Sequence, residues 1–180
     1  FQVLGIPVYD ADSRAKQLME ENDFLKKNII ELFGVDAYLS GKLNRAYISG
    51  IVFQNPEKLQ LLNSIVHPVT IADANVWMQK QNSPYCIKEA ALIFESGSDT
   101  SLDGVIGVTA PENIRVQRVM QRDGISESDV KNRMIRQMDE SEKMKRCNWV
   151  IHNNEEQSLI EQVLKLHQIF IEKSVNDVTD

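Results

Sequence analysis

Two aspartates, Asp10 and Asp12, follow the short apolar run Ile6-Pro7-Val8-Tyr9, where a strand is expected to hand over to a helix. In open parallel sheets ligands collect outside the carboxyl ends of strands. A carboxylate there is placed to take a proton from a substrate hydroxyl while the oxygen attacks phosphorus. Two carboxylates so spaced can divide the work, one positioning and one acting as base. Aspartate is also a good helix N-cap, and that reading stands beside the first. A second set of residues is cationic. Arg115, Arg118 and Arg122 recur at spacings of three and four, which places them on one face of a helix, and Arg133, Arg136 and Gln137 do the same on the next. Guanidinium groups on one stripe repel unless an anion lies between them, and their planar donor forks suit a phosphoryl group. A solvated helix face is the alternative. Arg122-Asp123-Gly124 ends the helix at an expected hinge, which a lid closing over phosphate requires.

Other chemistries find less support. The chain has three histidines and two cysteines, none at metal-ligand spacing, so a zinc site is not expected. His67 before Pro68 reads either as a functional imidazole or as a residue that turns the chain. There is no Gly-x-Ser-x-Gly, and neither Cys86 nor Cys147 has an activating context. Trp77 and Trp149 suit core packing better than base stacking. The phosphate-loop pattern Gly-x-x-x-x-Gly-Lys-[Ser/Thr] does not occur, since Gly41-Lys42-Leu43 holds the sole Gly-Lys pair and Asp36 stands where the first glycine belongs. A bound nucleotide would then need a phosphate cradle upstream of Phe1. Phe1-Gln2-Val3-Leu4-Gly5 reads as the last turn of a helix, so the start resembles the middle of a β-α-β unit and the sequence reads as a fragment.

The elements that must position these residues follow from pattern. Helices are expected at about 13–20, 22–33 and 44–50. An Asn55-Pro56-Glu57 start opens a further helical stretch, which His67-Pro68 divides into two helices meeting at a corner. Near-continuous apolar strands at 85–94 and 104–109, with a third at 149–151, alternate with helices at 112–123, 126–137, 141–146 and 155–171, and the tail to Asp180 is expected to fray. That order points to an α/β fold, a parallel sheet with helices on both faces. The 180 residues are 42% apolar and 26% charged, which suits one compact domain, with room for a small helical appendage, and excludes disorder. The longest apolar run, residues 90–94, is five residues against the roughly 20 of a membrane span. No membrane or nucleic-acid partner is expected, and a reduced, cytoplasmic setting is the default. The net charge is −6, yet residues 112–146 carry nine basic and seven acidic side chains. An acidic body with one arginine-rich segment fits a local anion site better than a nucleic-acid surface.

Taken in order, these segments resemble the dephospho-coenzyme A kinases, a nucleotide-kinase-like family of the P-loop fold. The resemblance rests on Leu4-Gly5-Ile6-Pro7-Val8-Tyr9-Asp10-Ala11-Asp12, Leu43-Asn44-Arg45, Val52-Phe53-Gln54-Asn55-Pro56, Leu62-Asn63-Ser64-Ile65-Val66-His67-Pro68, Arg118-Val119-Met120-Gln121-Arg122-Asp123 and Val150-Ile151-His152-Asn153-Asn154. It implies ATP and Mg²⁺, and phosphorylation of the ribose 3′-hydroxyl of dephospho-coenzyme A. By this resemblance Asp12 is the base and Asp10 shapes the site beside it. Arg45 and His67 belong to a helical domain that holds the acceptor, Arg118 and Arg122 come from a lid and neutralise the phosphoryl group, and Asn153 approaches the adenine. Arg133 and Gln137 match the lid pattern without a firm role. Ala91-Leu92-Ile93-Phe94-Glu95 keeps the family's Glu95, expected at the substrate, but lacks its proline. The implied organisation is a core of residues 1–12, 83–111 and 147–180, a mostly helical acceptor-binding segment at 13–82 and a helical lid at 112–146, in a monomer or small homo-oligomer. Without the phosphate loop, these 180 residues alone are expected to transfer phosphate poorly. Two other readings stay open, a kinase of this fold acting on another nucleotide or small metabolite, and a helical interaction protein whose arginine stripe docks an acidic partner.

Overall fold

Four short polar side chains start the helices of the first half of the chain. In a computed structural model that describes residues 1–176, Asp10, Asn22, Asn44 and Asn55 each accept the backbone N–H three residues on and so satisfy donors a helix start leaves free. The chain divides into two compact units, Gln2–Ala91 and Leu92 onward with Phe1. In the first, β1 (Val8–Asp10) leads to α1 (Ala11–Glu21) and α2 (Asp23–Phe33). A hairpin of β2 (Tyr38–Leu39) and β3 (Lys42–Leu43) follows, then α3 (Arg45–Gln54), α4 (Pro56–Gln79) and β4 (Ile87–Glu89). Leu25, Ile29 and Phe33 recur every fourth residue of α2 and bury one stripe against Leu18, Ala37, Ile48 and Val66. β4 returns parallel to β1, in the register Val8↔Ile87, Tyr9↔Lys88 and Asp10↔Glu89.

The structure departs from the expected elements in this unit at several places. Residues 56–79 form one helix with Pro68 inside it, not two helices at a corner. Proline removes one helical hydrogen bond, but Val66, Thr70 and Ala74 are buried at every fourth position across the break and hold the axis together. α3 runs on past Gly50 to Gln54, because Ile48 is buried and Ile51 and Val52 pack against the same cluster. The segment around Gly41 is a hairpin rather than a plain loop. Ser40 and Gly41 take φ of 49° and 79°, the conformation that matches a two-residue turn to the twist of its strands. Of the strand expected at 85–94, three residues pair, because β1 offers three to pair with.

The second unit holds β5 (Ile106–Thr109), α5 (Glu112–Asp123), α6 (Glu127–Met134), α7 (Glu140–Arg146), β6 (Trp149–His152) and α8 (Leu159–Asn176). β5 and β6 pair in parallel from Ile106↔Trp149 to Thr109↔His152, joined by the long helical crossover that parallel strands require. Trp149 meets Phe170 edge-on at 4.8 Å and fixes α8 against the pair, while Trp77 of the first unit packs on Tyr9 at 5.4 Å. Ser126 caps α6 by accepting the Asp129 N–H, and its hydroxyl donates to the Asp129 carboxylate. α6 stops at Met134, short of the expected 137, and the Met138 N–H goes to Glu95. α8 starts at Leu159 rather than 155, because the Asn154 side chain accepts the N–H groups of Glu156 and Gln157 in a turn that puts Glu155 at φ 69°. The expectation about the tail beyond residue 176 lies outside the described residues.

The α/β class and the parallel pairing hold, although the described strands form three two-stranded sheets rather than one. Among the described residues no helix is long and apolar enough to cross a membrane. Pro68→Ala restores a helical N–H at an exposed position, so it is expected to stabilise the fold by roughly 1–3 kcal/mol. Urea unfolding checks this, and an unchanged or lower midpoint contradicts it.

Candidate active site

Parallel pairing of β1 and β4 gathers three carboxylates at one end of the strands. Asp10 Oδ1 accepts the Ser13 N–H at 2.9 Å and its Oδ2 accepts the Ser13 hydroxyl at 2.7 Å. These bonds hold its carboxyl below the usual range, so the N-cap role is realised at Asp10. Asp12 is exposed in the first turn of α1, where the positive end of the helix favours negative charge. Glu89 stands opposite Asp10 in the ladder. Partial burial, then the charges of Asp12 and Asp10, push its carboxyl above its ordinary 4.5. The sequence reading missed Glu89 because it lay inside a segment taken for a continuous apolar strand; alternation along Ile87-Lys88-Glu89 was the available signal.

Behind this edge lies a second group that the sequence did not reveal. The Asp73 carboxylate on α4 accepts Arg14 Nε and Nη2, both at 3.0 Å, and the Tyr9 hydroxyl at 2.7 Å. The Arg14 guanidinium, then the Tyr9 bond, keep Asp73 below the usual carboxylate range, although burial works the other way. Burial and the Asp73 contact raise the Tyr9 phenol. His67 is half-buried on the same helix. Burial and the nearby Lys88 ammonium hold its imidazole below 6.5, so it is neutral at pH 7. Arg45 Nη2 lies 3.4 Å from Glu20 Oε1 in an exposed and weak ion pair.

In the second unit Arg115, Arg118, Arg122 and Arg133 each reach a carboxylate. Arg115 donates to Ala110 O and to Glu140, and Arg118 donates to Asn153 O and to Glu155, each of the last three bonds at 3.1 Å. Arg122 and Arg133 share Asp123, at 2.7 and 3.0 Å. The expected repulsion along the stripe is therefore relieved by local acids from α5, α7 and the segment before α8. Arg118 and Asn153, expected to act on one ligand, do meet, through the Asn153 backbone carbonyl. Glu95 accepts the Met138 N–H at 2.8 Å and lies 3.3 Å from Lys143 Nζ. Burial raises the Glu95 carboxyl, but these two partners outweigh it and hold it low. Gln137 lines a cavity of about 630 Å³ with Arg115, Met134, Met138 and Glu140. Among the described residues no group of three or more His, Cys, Asp or Glu side chains is arranged to hold a metal ion.

The raised carboxyl of Glu89 costs the folded state when it ionises, so the cost is present above the folded pKa and absent below 4.5. Glu89→Gln is expected to stabilise the protein at pH 7 by a few tenths of a kcal/mol, since the exposed side chain is screened by solvent, and to have no effect near pH 4. Paired urea titrations at the two pH values check this, and a loss of stability at pH 7 contradicts it.

Comparison with known proteins places this geometry in a family. The family model described as dephospho-CoA kinase matches residues 1–158. A dephospho-CoA kinase of Porphyromonas gingivalis is 40% identical over 74% of this chain and 66% of its own length, so the chain spans just under two thirds of that relative. One from Bacteroides fragilis is 30% identical over 96% of the chain and 84% of its own length. The crystal structure of TT1252 from Thermus thermophilus superposes with a TM-score of 0.81 at 33% identity, covering 93% of this chain and 86% of that one. A dephospho-CoA kinase from Campylobacter jejuni superposes at 0.61 with 29% identity, covering 99% and 86%. With the ordered motifs and the strand-end carboxylates, these matches show that the chain belongs to the dephospho-CoA kinase family of ATP-dependent kinases, which act in the last step of coenzyme A biosynthesis.

Proposed function

We propose that this chain's residues transfer the γ-phosphoryl group of ATP to the ribose 3′-hydroxyl of dephospho-coenzyme A, with Asp12 as the base. The observation that carries the assignment is the difference between the two aspartates. Both oxygens of Asp10 are engaged by Ser13, whereas Asp12 is exposed at the carboxyl end of the β1·β4 pair. Asp10 then fixes the first turn of α1, and Asp12 takes the hydroxyl proton as the oxygen attacks. Arg118 and Arg122 neutralise the charge in transfer, exchanging Glu155 and Asp123 for phosphate oxygens. The Arg118–Glu155 and Arg122–Asp123 pairs lie at the surface, so the exchange costs little. Asn153 meets the adenine, and Arg45, His67 and Glu95 belong to acceptor binding and its support.

In this reading residues 13–82 form the helical acceptor-binding domain, residues 112–146 the lid, and 1–12, 83–111 and 147–180 the nucleotide-kinase core. Mg²⁺, when bound, would withdraw charge from phosphate oxygens and would need one or two carboxylates beside them. Glu89, opposite Asp10 in the ladder, is a hard-oxygen donor of that type and leaves Asp12 free to act as the base.

In the full-length protein, an ADP-release assay with ATP and dephospho-coenzyme A is expected to give turnover that falls by about 10²–10⁴ in Asp12→Asn, with KM for ATP nearly unchanged. Near-normal turnover in Asp12→Asn rejects the base. Release of ADP with a different acceptor and none with dephospho-coenzyme A rejects the acceptor.

A further inference from the structure

Among the described residues the fold contains a buried cation without a hydrogen-bond partner. Lys88, at the centre of β4, is 8% exposed, and its Nζ is buried with no hydrogen-bond partner. Neighbouring residues of a strand point to opposite faces, so Lys88 leaves the face that carries Glu89. It lies opposite Tyr9 in the ladder, and the Tyr9 side chain reaches α4 at Thr70 O and Asp73. His67 of α4 is close enough to sense the Lys88 charge. An ammonium taken out of water with no partner costs several kcal/mol, unless an anion arrives to pair with it. The cations named above differ: Arg14 and Arg45 of the first unit, and Arg115, Arg118, Arg122 and Lys143 of the second, each have a carboxylate within 3.4 Å.

We propose that Lys88 and His67 form an anion-binding subsite that takes the pyrophosphate group of the acceptor. The proposal rests on the kinase reading, because dephospho-coenzyme A carries a pyrophosphate on the same ribose whose 3′-hydroxyl reacts. Lys88 and Glu89 are neighbours on β4 but point to opposite faces, so the subsite lies one residue from the carboxylate end of the strand, on the face from which Tyr9 reaches α4. A neutral imidazole donates one N–H to a phosphate oxygen, and the half-buried ring is the part of the pair that solvent reaches. The ammonium behind it supplies the charge. Burial keeps Lys88 from pairing with surface acids and reserves it for an anion that enters past His67.

The probe is inorganic pyrophosphate, added to protein whose nucleotide site is filled by a non-hydrolysable ATP analogue. In the wild-type protein pyrophosphate is expected to shift the imidazole proton resonance of His67, assigned by its loss in His67→Asn. Lys88→Met keeps an unbranched chain and removes the charge. It is expected to leave the ligand-free Tm unchanged or higher, to abolish the pyrophosphate response, and to raise KM for dephospho-coenzyme A tenfold or more, the size of one lost charge-assisted hydrogen bond. The turnover number and KM for ATP are expected to stay within about threefold, a split that a general loss of structure does not produce. An unmoved His67 resonance in the wild-type protein overturns the subsite whether or not the variant folds, as does a pyrophosphate response or acceptor KM that survives Lys88→Met. Wild-type protein that responds to pyrophosphate at His67 but does not phosphorylate dephospho-coenzyme A supports the subsite and refutes the acceptor.

Discussion

A single carboxylate, Asp73, ties together the three elements on which the candidate site stands. It receives the Arg14 fork from α1 and the Tyr9 hydroxyl from β1, and it is itself carried by α4. Bidentate guanidinium pairing fixes direction as well as distance, so the first turn of α1 cannot rotate about the strand that precedes it. Tyr9 is 4% exposed and packed on Trp77, which leaves its hydroxyl few places to go other than Asp73. Asp12 lies two residues before Arg14 in the turn that this latch holds. The position of the proposed base is thus set by a contact between residues 59 positions apart.

The carboxylate edge and the arginine segment solve opposite electrostatic problems. At the strand ends, like charges are brought together, and the cost shows in the raised carboxyl of Glu89. Along α5 and α6 the guanidinium groups are kept apart by acids close in the fold, so the segment rests nearly balanced. A phosphoryl group offers such arginines stronger, charge-assisted bonds than an exposed carboxylate does, and in the proposed reading this gives the lid a reason to move. On that reading the acids beside the arginines are partners that phosphate replaces.

Much of the fold was legible because its signals are local. Asn55-Pro56 starts α4 where expected, Gly124 ends α5 with a left-handed φ of 66°, and Ser126 caps α6. The errors have non-local causes. Pro68 predicts a break from its own chemistry, and burial of Val66 and Ala74 on either side overrides it. The strand at 85–94 shrinks to three residues because its length is set by its partner β1. Within the candidate site, Asp10, Asp12 and the arginines could be read from spacing, whereas Glu89, Asp73 and Lys88 acquire meaning through neighbours far away in the chain.

By itself the sequence determined the element types, the caps and the order of motifs that marks the family, since each depends on residues within one or two turns of one another. The tertiary structure alone decided which aspartate is spent as a cap and which is exposed, which acid answers each arginine, and that a lysine in the middle of a strand is buried. The physical reason is range. Capping and periodicity act over a few residues, while desolvation and ion pairing depend on what the folded chain brings alongside.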